Sequence, residues 1–164
     1  MQLRPGRPPN FTPPDHWPEE RQLELIRNAR NGCVGRFVLS ENARARIWRL
    51  DLAPGERLGF HCHVLDYFRV ALTGGTALSR DHLGTEDRAA FEPGQVKHVQ
   101  FQKDEFLLHD MENTGPEPLS FMICEHIRSA NPPLPIPDHV RVKPRQLDAV
   151  TWPPAQPAPR RRSR

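Results

Sequence analysis

Hydrophobic and polar positions alternate in nine short runs across the middle of the chain. Successive side chains of a strand point to opposite faces, so alternating runs of this length predict half-buried strands. Turn-forming residues separate the runs, as at positions 53–56 and 73–75. Short strands at this spacing predict an all-β protein with a closed or sandwiched sheet. The nine predicted strands are residues 34–39, 45–52, 57–63, 67–72, 76–80, 88–92, 95–101, 106–111 and 119–127.

One segment, residues 18–31, has helical features. Pro18 followed by two glutamates suits the first turn of a helix, and Gly32 is a natural stop. Leu25 and Ile26 contribute to a partial apolar face. We expect this helix to pack on the outside of the sheet structure or across a dimer contact.

The distribution of proline marks the limits of the β domain. Of 19 prolines, six lie in residues 1–18 and nine in residues 132–159. Proline cannot donate to a sheet ladder, so strands concentrate where it is absent. The length fits a single domain. The predicted organisation is an N-terminal extension with the helix, a β domain, a proline-rich arm and a disordered arginine-rich tail, at residues 1–31, 32–130, 131–151 and 152–164 respectively.

Charge and cysteine content exclude several classes of protein. The net charge is +3, but four arginines in the last five residues account for it, and the rest of the chain carries −1. We expect this tail to be a solvated terminus, so no nucleic-acid partner is predicted. No apolar run is long enough for a signal peptide or a membrane helix, and three cysteines do not form a paired framework. A cytoplasmic protein without a membrane partner is predicted.

His61 and His63 are candidate metal ligands. Residues two apart on a strand point the same way, so two imidazoles at this spacing can converge on one ion. Imidazole nitrogens suit Fe, Ni, Cu, Zn and often Mn. Cys62, between the two histidines, should point to the opposite face, whereas Cys33 and Cys124 have apolar sequence neighbours and are predicted to be buried thiols.

The flanks of this pair form a longer frame: Gly55, five residues, His61-x-His63, three residues, Tyr67, six residues, Gly74. The frame resembles the first motif of the cupin superfamily, Gly-x5-His-x-His-x3,4-Glu-x6-Gly, with Tyr67 in place of the glutamate. The resemblance covers about residues 32–130. It implies a cupin (jelly-roll) β-barrel with a metal near one end.

A second cupin motif is present in part. His109 and Asn113, followed by Thr114 and Gly115, resemble its end, His-x3-Asn and the next turn, whereas residues 104–106 depart from its Pro-x-Gly start. The resemblance implies the metal ligands His61, His63 and His109. His98, in the predicted strand 95–101, is the alternative third or fourth ligand, with a role in the pocket wall preferred for it.

Tyr67 and Arg69 are the candidate catalytic residues. A three-histidine set leaves the charge of a metal uncompensated and positions open for dioxygen, water or an anionic substrate. Tyr67 would either orient bound substrate or line the barrel. Arg69, two residues on, would either hold a substrate carboxylate or form an outward salt bridge. Asp66 should face the other way from both.

Three-histidine cupins include dioxygenases, so the resemblance implies a small-molecule dioxygenase or related oxidoreductase that uses a divalent transition metal. Iron is expected first, with Mn, Ni, Zn and Cu as alternatives. The competing hypothesis is a non-catalytic cupin that binds or senses a small molecule. A homodimer is also expected, because a barrel alone cannot bury the helix and the proline-rich arm.

Overall fold

The computed structural model describes residues 11–142. Pro18 caps the first helix, which has two glutamates in its first turn and Arg27 in its last, as the helix dipole favours. Nine strands follow, and a 3-10 turn ends the described region. The elements are α1 (Glu19–Arg27), β1 (Phe37–Glu41), β2 (Ala45–Leu52), β3 (Arg57–His63), β4 (Tyr67–Ala71), β5 (Gly75–Arg80), β6 (Glu86–Phe91), β7 (Val96–Val99), β8 (Leu107–Asn113), β9 (Leu119–His126) and the 3-10 turn Asp138–Val140.

The strands form two antiparallel sheets, with the orders β1-β2-β9-β4-β7 and β3-β8-β5-β6. The chain crosses from one sheet to the other at every connection except β1–β2 and β5–β6. This alternation places β3, β4 and β8 around one interior although they are separate in sequence. The all-β jelly-roll class with one N-terminal helix is confirmed.

The inner core lies between the two sheets. Phe91 of β6 and Phe121 of β9 meet edge to face, with ring centres 5.0 Å apart, so the sheets pack face to face. The buried side chains of this core include Trp48, Leu50, Leu52, Tyr67, Ala77, Met111, Leu119 and Ile123. The candidate metal site described below lies in the same interior.

A separate outer core covers the other face of the four-stranded sheet. Leu25 of α1 is fully buried there, with Trp17 beside Phe60 at a ring-centre distance of 5.6 Å. The cluster comprises Trp17, Leu25, Ala29, Phe60, Cys62, Val64, Leu65, Leu108 and Leu134. The helix therefore packs on the outside of its own sheet, one of the two places expected for it.

The structure contains all nine predicted strands, and β2 and β3 have the predicted bounds. The predicted helix 18–31 is too long. The observed helix ends at Arg27. The backbone of Asn28 leaves helical geometry there, and its side-chain amide donates to the Glu24 carbonyl at 3.0 Å. β7 is shorter than predicted, because the Phe101 N–H donates to Asp66 Oδ1 at 2.9 Å instead of extending the ladder.

The described part of the proline-rich arm, residues 131–142, packs on the same chain. Asn131 donates to the carbonyls of Val64 and Gln102, Leu134 is buried in the outer core, and the Val142 N–H donates to Val38 O on β1. Helix and arm therefore do not need a partner chain for burial. The homodimer therefore stays a prediction that burial of the helix and the arm no longer supports. The molecular mass measured by light scattering would test it.

The predicted disordered tail, residues 152–164, lies outside the described residues. Within residues 11–142, no helix has both the length and the apolar character that crossing a membrane requires.

Candidate metal centre

A β-bulge in β3 sets up the site. Leu58 pairs with Met111 of β8, but His61 pairs with His109, so β3 holds one more residue than β8 over this interval. The extra residue lets both Leu58 and His61 face the inner core, which strict alternation would forbid. It also leaves Arg57 on the outer side of the sheet.

Three histidines meet in the interior. His61 and His63 project from β3, and His109 projects from β8 opposite His61. The ring centres are 4.6 Å apart for His61 and His109, 5.1 Å for His61 and His63, and 5.2 Å for His63 and His109. One ring nitrogen from each lies within 4.8 Å of the others, a spacing that could hold one metal ion. The predicted ligands His61, His63 and His109 are thus brought together.

Hydrogen bonding leaves ring nitrogens available to an ion. His61 Nδ1 lies 2.9 Å from the Gly59 carbonyl, so the Nδ1–H tautomer directs a free Nε2 away from the bulge. His63 Nδ1 and His109 Nε2 are buried and have no hydrogen-bond partner in residues 11–142. Buried polar atoms are normally paired, so these orphaned nitrogens fit a site for an ion.

The imidazoles are also in the protonation state that metals require. Burial lowers the pKa of His61 to about 4, with the hydrogen bond to Gly59 opposing the shift. Burial lowers the pKa of His63 and of His109 well below the usual value, and the His61 ring lowers both further. All three rings are therefore neutral at pH 7 and can donate a lone pair to a transition metal.

Tyr67 and Arg69 both face the interior from β4. The Tyr67 ring stacks on His63 with centres 4.5 Å apart, and burial raises the pKa of its hydroxyl. Arg69 lies over the Phe91 and Phe121 rings, at 4.8 and 5.7 Å from their centres. The outward salt bridge considered for Arg69 is not formed in the described part of the chain. Asp66 faces away as predicted, and its carboxylate accepts from the Phe101 N–H.

Two cavities adjoin the histidines. The inner one measures about 20 Å³, room for about one water, and apart from the histidines, Tyr67 and Arg69 it is lined by Val34, Leu50, Met111, Phe121 and Ile123. The outer one measures about 220 Å³ and is lined by Ser79, Asp81, Thr85, Asp87, Lys97 and Leu107. Tyr67, Arg69 and His109 line both cavities. A ligand at the histidines would therefore touch an apolar and a polar compartment.

Polar contacts on the outer side of the sheet hold the bulge. Glu24 of α1 accepts the Phe60 N–H at 3.0 Å and also forms an ion pair with Arg57. Arg57 donates to Asp110 at 2.8 Å, and Asp110, fully buried, also accepts from the Arg80 backbone at 2.9 Å. The strands that carry the three histidines, β3 and β8, are thus joined behind them.

These supporting residues were not predicted from the sequence. The position of Asp110 directly after His109 is a usable signal, because alternation puts it behind the ligand. Nothing in the sequence around Glu24 points to the bulge.

His98 is not brought to the cluster. It pairs with Phe68 across β4 and β7, and its ring centre lies 5.5 Å from that of Phe68. Because Tyr67 faces inward, Phe68 and His98 share the outer face, where His98 is exposed. The structure therefore supports neither the ligand role nor the pocket-wall role considered for His98.

Cys62 lies between His61 and His63 in sequence but on the opposite face of β3. Its side chain is buried in the outer core, and burial raises the pKa of the thiol to about 12. The thiol is therefore neutral at pH 7 and points away from the three imidazoles, as predicted.

No family model matches the chain, and no curated protein matches it. Solved structures do. A cupin domain from Bordetella pertussis Tohama I has a TM-score of 0.48 and 24% identity, covering 54% of this chain and 88% of that one. A protein with a double-stranded β-helix domain from Klebsiella pneumoniae has a TM-score of 0.46 and 21% identity, covering 58% and 78%.

A predicted oxalate decarboxylase from Thermotoga maritima has 25% identity and a TM-score of 0.37, covering 51% of this chain and 66% of that one. The two-sheet arrangement of residues 37–126 itself assigns the fold.

Proposed function

We propose that this chain, a jelly roll of cupin type, is a metal-dependent oxidoreductase that acts on a small molecule with dioxygen. The observation that carries the proposal is the cluster of His61, His63 and His109, three buried neutral imidazoles beside a cavity, of which His63 and His109 each have an orphaned ring nitrogen. Iron is the proposed metal, because imidazole ligands with open positions suit it and dioxygen chemistry needs a redox-active ion.

The composition of the cluster supports an open site. Within residues 11–142, it contains three histidines and no carboxylate. When bound, iron would supply the redox chemistry that activates dioxygen. If both oxygen atoms enter the substrate, as in a dioxygenase, the reaction balances without an external reductant.

The residues of the chain have distinct tasks in this proposal. His61, His63 and His109 hold the ion, and the Gly59 carbonyl fixes the His61 ring. Tyr67 packs against His63 and lines both cavities, so it contacts bound substrate. The apolar wall of the inner cavity excludes water from the reacting groups.

Metal analysis of single variants tests the site. We expect about one iron per chain in the wild type, and loss of that metal in His61→Ala, His63→Ala and His109→Ala. His98→Ala is the matched control, because it removes an exposed imidazole from the same domain, and it should retain the metal. Full metal content in His109→Ala together with none in His98→Ala would transfer the third ligand position to His98.

Oxygen consumption then tests the reaction. The iron-loaded protein is mixed with a panel of small carboxylic acids, thiols and phenols, and oxygen uptake is compared with that of His109→Ala. Uptake that depends on both substrate and His109 supports the proposal. A protein that binds metal and a member of the panel without consuming oxygen would instead be the binding cupin considered as the alternative.

A further inference from the structure

His82 is a histidine outside the candidate metal centre whose ring is enclosed by protein. It lies between β5 and β6 in residues 81–85, which we call the cavity loop. Both ring nitrogens of His82 are buried and have no hydrogen-bond partner in residues 11–142. A buried polar atom without a partner costs free energy, and one side chain carries two of them here. An apolar ring would fit this position at a lower cost, so packing alone does not account for the histidine.

Two aromatic rings enclose the imidazole of His82. Phe11 meets it edge to face with ring centres 5.5 Å apart, and the Phe106 ring lies on another side at 5.2 Å. Phe11 belongs to residues 11–17, which precede α1 and which we call the N-terminal strap. The strap therefore supplies one of the two rings that keep His82 from water.

The enclosure favours a neutral imidazole. Burial lowers the pKa of His82, while the negative charge of Asp81 and the Leu108 carbonyl oppose the shift. An imidazolium in this place would lack the hydrogen-bond partners that a buried charge needs. The ionisable groups on the segments packed against His82 are Asp81 in the cavity loop, Asp15 and His16 in the strap, and Lys103, Asp104 and Glu105 before Phe106.

The cavity loop separates the strap from the outer cavity. Asp81 and His109 both line that cavity. Because successive side chains alternate, His82 points to the opposite side of the loop, where the strap lies. The strap also touches the loop backbone, since a Cβ atom at Gly84 would lie 2.9 Å from Pro14 Cγ. One side of the loop thus faces the outer cavity, and the strap packs on the other side.

We infer that the N-terminal strap is acid-sensitive: it stays on the cavity loop while the His82 ring is neutral, and protonation of that ring releases the strap and loosens this wall of the outer cavity. Lifting Phe11 admits water, which solvates the imidazolium. Release takes up a proton, so acid favours the released state by up to about tenfold per pH unit below the ordinary histidine pKa of about 6.5. At higher pH both states are neutral at His82, and the equilibrium is constant. The inference holds with or without the proposed reaction.

Hydrogen exchange of the full-length protein between pH 7.5 and 5.0 tests the inference. Mass spectrometry follows peptides from the strap and from the cavity loop, and the rates are corrected for the pH dependence of the chemical exchange step. We expect opening of both segments to increase severalfold, and by up to about thirtyfold, with most of the increase below pH 6.5. Peptides from β9, at the centre of the five-stranded sheet, should show no such increase.

Variants assign the response to one histidine. His82→Phe should remove the pH dependence, because a phenyl ring of similar size fills the space and does not titrate. His16→Gln is the matched control, since it removes an exposed histidine from the strap itself, and it should keep the wild-type response. Titration of the His82 ring in the wild type by nuclear magnetic resonance needs no variant, and its pKa should lie below the ordinary histidine value.

Equal opening at pH 7.5 and 5.0 in the wild type would overturn the inference. A pH response that survives in His82→Phe, or that disappears in His16→Gln, would do the same, as would a His82 pKa at or above the ordinary value. Release of the strap while the cavity loop stays protected would overturn the connection to the outer cavity.

Discussion

Strand β3 has two faces that differ in their polar chemistry. On the inner face, His61 and His63 place ring nitrogens in a dry interior, and the Nδ1 atom of His63 has no partner among the described residues. On the outer face, Phe60 and Cys62 pack under helix α1 among apolar side chains. The same seven residues therefore contribute to a candidate metal site on one side and to ordinary hydrophobic packing on the other.

The difference between the two faces of β3 separates residues that would serve metal binding from residues that stabilise the fold. A buried, unpaired imidazole nitrogen costs free energy of folding, and a bound ion recovers it. Beneath β3 the outer core carries no such cost, because its buried side chains are apolar and polar contacts such as Glu24 with Arg57 are paired. Its edge differs, since His82 beside Phe106 has two buried ring nitrogens without a partner among the described residues. We therefore expect substitutions on the two faces of β3 to affect different measurements.

The largest expected effect is on the inner face. His63→Leu should abolish metal binding, because it removes one of three ligands. The melting temperature of the metal-free protein should stay the same or rise, since a buried unpaired nitrogen is replaced by an apolar group of similar size. Metal analysis and calorimetry of the chelated protein measure the two quantities. A metal-free His63→Leu protein that melts several degrees lower would contradict the division between the faces.

The outer core should respond in the opposite way. Leu25→Ala should lower the free energy of unfolding by about 2–5 kcal/mol, as expected for a cavity in a packed core, while metal content stays at the wild-type level. Urea denaturation measures the first quantity. Leu23→Ala is the control on the same helix, because Leu23 is 42% exposed, and its effect should be within about 0.5 kcal/mol. Similar losses in both variants would argue against the described packing of α1.

Glu24 connects the two faces, so its removal should affect both. Glu24→Ala takes away the acceptor for the Phe60 N–H and the partner of Arg57. We expect metal affinity to fall by about tenfold or more, since the bulge no longer fixes His61, and stability to fall by about 1–2 kcal/mol. Competition with a chelator measures the affinity. Glu20→Ala, an exposed substitution one turn earlier in α1, is the control and should leave the metal affinity unchanged. An equal loss of affinity in Glu20→Ala would show that the negative charge of the helix matters and not the hydrogen bond to Phe60.

The smallest expected effect concerns Cys62, the thiol between His61 and His63. Cys62→Ala should leave metal content unchanged and lower stability by about 1 kcal/mol, because the thiol packs as a small apolar group in the outer core. Loss of metal in this variant would show that the thiol reaches the ion and that β3 is not arranged as described.

Much of the fold was predictable because its signal is local. Alternation identified every strand, with the bounds of β2 and β3 as observed, and the spacing of His61 and His63 placed both on one face. His109 could be predicted as a partner of this pair only from the second cupin motif. No local rule brings together His63 and His109, which are 46 positions apart in the sequence. Its pairing with His61 depends on which strands become neighbours.

The remaining features depend on tertiary context. Strict alternation puts Arg57 on the same face as His61, whereas the bulge turns it outward to Asp110 and Glu24. No residue type in β3 predicts a bulge, because Gly59 is equally compatible with a regular strand. The exposure of His98 follows from its register with Phe68, which becomes known only once β7 pairs with β4.

The Phe60 amide has a consequence for how the protein opens. Its N–H donates to a carboxylate of the helix rather than to a neighbouring strand. Its protection from hydrogen exchange therefore lasts only while α1 is docked, whereas ladder amides of β3 stay protected until the sheet separates. A single exchange rate at Phe60 thus reports how often the helix lifts from the sheet, and each such event briefly frees the backbone that orients His61.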